Sequence, residues 1–133
     1  MAVEMRLGFL GFGNMGRAIA GGLIERQTMR PGQLATFDVD EAKRAAAQAM
    51  GMKAVSSAES LAEACDALMV AVKPQNAAEA LEPLAGKLAP SALVISICAG
   101  LSTAFFQERL GSGRRVIRVM PNTPCQVGSG AIA

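Results

Sequence analysis

The sequence predicts an α/β fold: a doubly wound, mainly parallel sheet with helices on both faces. Three observations predict it. Short apolar runs alternate along the chain with amphipathic stretches at helical spacing. The longest of these runs, residues 67–72 and 93–99, are strand-sized, and a sheet covered on both sides needs such buried strands. A glycine-rich turn lies directly after the first apolar run and opens a helical one.

Each element has its own signal. Residues 6–10 read as the first strand, and residues 15–26 as a helix with Ile19, Leu23 and Ile24 on one side. The Pro31-Gly32 turn introduces a second strand at 34–38. An Ala-rich helix at 40–50 follows and stops at Gly51. Residues 53–55 make a brief strand, and Ser56 with Glu59 three residues on reads as a capping box for a helix at 57–65. The run 67–72 is a buried strand. Residues 76–88 read as a helix that Pro83 kinks or divides. A strand at 92–97 precedes a helix at 103–110, with Ser102 as N-cap and Gly111 as C-cap. Residues 115–120 form a further strand, and residues 130–133 look like the start of another, which suggests a truncated chain.

Composition narrows the function. A chain of 133 residues suits one domain, here 1–133; with 51% hydrophobic and 18% charged residues it has the means to fold. Five Phe with no Trp or Tyr require an aliphatic core. The net charge of +2 is dispersed, which argues against nucleic-acid binding. No apolar run is long enough to span a bilayer, so no membrane association is expected. There is no His, which removes His-based general catalysis and His metal sites, and no metal is expected. Cys65, Cys98 and Cys125 follow no C-x-x-C pattern and read as reduced packing residues in a cytoplasmic protein.

The turn Gly11-Phe12-Gly13-Asn14-Met15-Gly16 is G-x-G-x-x-G in the strand-to-helix context that makes the pattern meaningful. Gly11 permits the tight turn, Gly13 lets a pyrophosphate approach the backbone, and Gly16 lets the helix pack on the strand. Unpartnered helix amides and the positive end of the helix dipole then face the phosphates. This makes the fold Rossmann-like and the ligand a dinucleotide. Asp38, 22 residues beyond Gly16, is the candidate for the adenosine ribose hydroxyls, and Asp40 the candidate cap of the next helix. A carboxylate at that position disfavours a 2′-phosphate, with Lys43 and Arg44 as a partial offset, so NADH is favoured over NADPH.

Three later segments add specificity: Ala71-Val72-Lys73-Pro74-Gln75, Ser96-Ile97-Cys98-Ala99-Gly100 and Val119-Met120-Pro121-Asn122-Thr123-Pro124. With Gly8-Phe9-Leu10 leading into the glycine turn, the whole chain resembles the pyrroline-5-carboxylate reductase family. The resemblance implies NAD(P)H-dependent reduction of 1-pyrroline-5-carboxylate to L-proline. It implies that Leu10 to Met15 and Ala71, Val72, Lys73 and Pro74 line the cofactor, with Ala99 and Gly100 leaving room for a flat ring. Met120, Asn122 and Thr123 are placed near the nicotinamide. It also implies a helical C-terminal part that dimerises and completes the substrate pocket, and catalytic residues that cannot be assigned here. The competing expectations are a β-hydroxyacid-dehydrogenase-like oxidoreductase, which shares the opening motif, and a non-catalytic dinucleotide-binding module.

Overall fold

The computed structural model describes residues 4–119. Six strands form one parallel sheet: β1 (Leu7–Leu10), β2 (Leu34–Phe37), β3 (Lys53–Ala54), β4 (Ala67–Val70), β5 (Leu93–Ser96) and β6 (Val116–Arg118). Their order is β3-β2-β1-β4-β5-β6. The chain therefore runs outward from β1 in one direction, returns, and runs outward from β4 in the other. Between β1 and β4 lies the crevice in which open α/β sheets bind ligands.

The helices are α1 (Asn14–Glu25), α2 (Glu41–Ala49), α3 (Ala58–Glu63), α4 (Ala77–Leu81) and α5 (Thr103–Leu110). Strand side chains alternate between two apolar layers. Leu7, Phe9, Ala67 and Met69 pack with Ala20 of α1 and Ala47 of α2. Leu10, Leu68, Val70 and Val94 pack on the other face with Leu61 of α3, Leu81 of α4 and Phe106 of α5. This is the expected two-faced core, and it is aliphatic apart from a few Phe. On the α1–α2 face, the cover thins toward β5 and β6. There Leu93, Ile95 and Ile97 are half-buried, and Ile117, in register with Ile95, is 49% exposed.

Local chemistry explains the boundaries. Asp40 caps α2 by accepting from the Ala42 amide at 2.9 Å, and Ser102 caps α5 by accepting from Phe105 at 3.1 Å. For α3 the expected cap is displaced by one residue. Ser57, not Ser56, accepts from the helix, at Ser60 N and 3.1 Å, because Ala58 and Leu61 must both face the core. Pro83 does divide its segment: α4 ends at Leu81 and residues Glu82–Leu84 form a 3-10 turn. The strands are shorter than expected at their carboxyl ends. β2 stops at Phe37 and β4 at Val70, which releases Asp38 and Ala71–Val72 into the loops above the sheet. The expected strand at residues 130–133 lies outside the described residues.

Candidate dinucleotide site

The loops at the carboxyl ends of β1, β2, β4 and β5 converge on one edge of the sheet, and the glycine turn lies at their centre. In this turn the three glycines serve three different purposes. Gly11 has φ +91°, and a Cβ there would stand 2.8 Å from Cγ1 of Val72 and 3.1 Å from the Ala71 carbonyl. Its place is required by backbone conformation and by the loop after β4. A Cβ on Gly16 would meet the Gly11 oxygen at 3.3 Å and Cβ of Ala71 at 3.4 Å, so α1 packs close because this residue is small. Gly13 differs from both. A Cβ there would have no atom within 4 Å. Among the described residues nothing fills that space, so the backbone there is open to approach.

Gly13 is also the N-cap residue of α1, and no side chain caps the helix. The first intrahelical bond of the turn is Arg17 N to Gly13 O at 2.9 Å. The amides at the start of α1 thus keep the receptive geometry for an anion, with the helix dipole behind them. Asn14 is exposed and Met15 half-buried beside them. Phe12 contributes its backbone only, since its ring is buried edge-on against Phe9 with centroids 6.0 Å apart.

Parallel pairing of Leu10 with Phe37 makes Gly11 and Asp38 leave the sheet side by side. The Gly11 amide donates to Phe37 O at 2.9 Å. One carboxylate oxygen of Asp38 accepts from the Phe12 amide at 2.8 Å, and the other from the Asp40 amide at 2.9 Å. The structure therefore brings the sequence-derived acid to the glycine turn, with a local structural role of its own. Next to it Val39 is 87% exposed, an apolar side chain facing outward at the same end of the sheet.

The loop after β4 completes the other wall. Ala71 N donates to Leu10 O at 2.8 Å, drawing Ala71 and Val72 against the glycine turn. Lys73 is exposed, and Pro74 begins the 3-10 turn Pro74–Asn76. Ala99 and Gly100 lie exposed in the loop after β5. Cys98, expected only to pack, does more. Its buried thiol donates to the Val72 carbonyl at 3.2 Å, and its amide donates to the Ser96 hydroxyl at 3.2 Å. Burial pushes this thiol up, which suits its role as a hydrogen-bond donor to that carbonyl. No sequence signal announces that contact, because it depends on the β4–β5 register. Met120, Asn122 and Thr123 lie outside the described residues.

Among the described residues no helix is long and apolar enough to cross a membrane. Residues 6–100 match the family described as NADP oxidoreductase, coenzyme F420-dependent. The chain is 39% identical over 129 residues to pyrroline-5-carboxylate reductase of Escherichia coli (strain K12), which covers 96% of this chain and 48% of that protein. Among solved structures, a pyrroline-5-carboxylate reductase from Coxiella burnetii superposes with a TM-score of 0.87 at 29% identity, covering 94% of this chain and 47% of that one. The Plasmodium falciparum pyrroline carboxylate reductase with NADP bound gives a TM-score of 0.78 at 35% identity, covering 94% and 45%. The chain spans about half the length of the relatives it matches.

Proposed function

Since the chain belongs to the family described as NADP oxidoreductase, coenzyme F420-dependent, and groups with the first half of pyrroline-5-carboxylate reductases, we propose that it is the cofactor-binding domain of an enzyme reducing 1-pyrroline-5-carboxylate to L-proline. The observation that carries this reading is the start of α1, which no N-cap side chain closes and which directly follows the glycine turn, with open space at Gly13. A pyrophosphate fits there on main-chain amides, and the turn is anchored on both sides, by Asp38 and by Ala71.

When bound, the nicotinamide supplies the hydride. The residues of this chain bind and orient. Asn14, Met15 and Gly16 offer amides to the phosphates, and Lys73 at the end of the β4 loop supplies a positive charge at their edge. Ala71, Val72, Ala99 and Gly100 border the space where the flat ring lies. A cyclic imine is basic enough that it can arrive already protonated; its carbon then accepts hydride without a strong enzymic acid, which suits a chain that has no His. Asp38 faces the adenosine ribose and favours NADH over NADPH. The domain works in the cytoplasm with a helical second part that supplies the remaining substrate contacts and homo-oligomerisation.

Titrating the chain with NADH and watching nicotinamide fluorescence tests the cofactor reading; we expect saturable binding, and none at millimolar nucleotide overturns it. Assays with 1-pyrroline-5-carboxylate and with β-hydroxyacids, on the protein that contains this domain, test the substrate. Oxidation of a hydroxyacid in preference to imine reduction rejects the proline assignment.

A further inference from the structure

The start of α1 carries a charge of the wrong sign for a helix N-terminus. Asn14, Met15 and Gly16 open the helix, Arg17 completes its first turn, and no acid stands among them. A cation at this end is repelled by the same unpartnered amides and dipole that attract an anion. The neighbouring helices follow the usual rule, with Glu41 in the first turn of α2 and Glu59 in that of α3. Arg17 is exposed, and among the described residues it has no ion pair and no side-chain hydrogen bond that would offset the repulsion.

Helix geometry says where this side chain leans. Each Cα–Cβ bond tilts toward the helix start, so residue 17 lies over residues 13 and 14. The Arg17 amide donates to Gly13 O at 2.9 Å, the bond between positions i and i−4 that puts the two residues on one face. Gly13 adds no side chain to that face, a Cβ there would meet no atom within 4 Å, and Asn14 is exposed. Among the described residues the guanidinium therefore has an open path back over the amides of the first turn. Its planar fork of donors matches two phosphate oxygens at once.

Resting on the dinucleotide reading above, we propose that Arg17 is a binding residue for the cofactor's pyrophosphate, which lies between its guanidinium and the main-chain amides of the turn. Without an anion the Arg17 charge opposes the dipole; with one, both face the counter-charge that each lacks. The residue thus gives up stability of the free domain for affinity. Lys73, at the end of the loop after β4, brings a second cation to the same anion from a different element.

The experiment measures Kd for NADH and for NADPH, and the urea midpoint of the free chain, in wild type, R17K, R17Q and R17E. Affinity and stability should part company. We expect R17Q to bind both nucleotides about fivefold or more weakly and R17E more weakly still, while both unfold at the wild-type midpoint or above it. R17K keeps the charge without the fork and should fall between wild type and R17Q. Added salt should weaken NADH binding more steeply in wild type than in R17Q. Three results overturn the proposal. Full affinity in R17Q makes Arg17 a solvated surface residue, a loss confined to NADPH moves its contact to the 2′-phosphate, and a midpoint that falls along with affinity makes its role structural. A wild-type chain that binds neither nucleotide rejects the dinucleotide reading and this proposal with it, whereas NADH binding unchanged by R17Q and R17E rejects only the role of Arg17.

Discussion

Side chains of a single carbon separate the three glycines of the turn. Among the described residues Gly13→Ala meets no atom, so we expect a melting temperature close to wild type and, if the dinucleotide lies over this turn as proposed, nucleotide affinity weaker by about tenfold or more. Gly11→Ala has the opposite character. It combines a positive φ with a 2.8 Å approach to Val72, and a loss of about 2 kcal/mol or more in urea unfolding is expected. Equal effects of the two substitutions on stability would contradict this division. Cys65 supplies a pH test at the same scale. Burial, with the Asp66 charge adding to it, pushes its thiol up to about 11, whereas a thiol in an unfolded chain titrates near about 8.5. Between those values the folded chain keeps a proton that the unfolded chain loses. Stability is therefore full below the window and falls as pH rises through it, by on the order of 3 kcal/mol in all. Urea midpoints measured from pH 8 to 11 check the slope, and Cys65→Ala should make it shallower.

Among elements, helix starts are legible where a single capping residue settles them. Asp40 and Ser102 are the caps that their residue types and positions predict. Ser56 and Ser57 are chemically the same, and which of them caps α3 is decided by the two core contacts of Ala58 and Leu61, information that a local pattern does not contain. We expect Ser57→Ala to cost about 1 kcal/mol in thermal or urea unfolding and Ser56→Ala to be nearly neutral. The site shows the same division. In this candidate site the glycine turn and the loop after β4 stand out in the sequence because their residues are contiguous and special in kind. The bonds from Phe12 to Asp38 and from Cys98 to Val72 join residues 26 apart and exist only through parallel register. Cys98→Ala removes the second of these. The expected result is a cofactor affinity several-fold weaker, largely restored in Cys98→Ser, whose hydroxyl also donates to a carbonyl; unchanged binding in the alanine variant would remove Cys98 from the site.

For the molecule as a whole, the two-faced sheet and its reversal between β1 and β4 explain why loops distant in sequence meet at one edge. Alternating runs made that architecture readable, because a sheet buried on both sides leaves few other arrangements. The thin cover over Leu93, Ile95 and Ile117 was not readable, since it depends on which helices lie over which strands. The anchored glycine turn has a further consequence, in time. With Gly11, Phe12 and Ala71 already bonded to their neighbours, we expect the candidate site to need no closing motion before it accepts a nucleotide. Capture should then follow encounter directly, and mixing in a stopped-flow instrument should give one exponential whose rate climbs linearly with nucleotide concentration. A rate that levels off would expose a slow rearrangement, and with it a turn that is shaped by its guest.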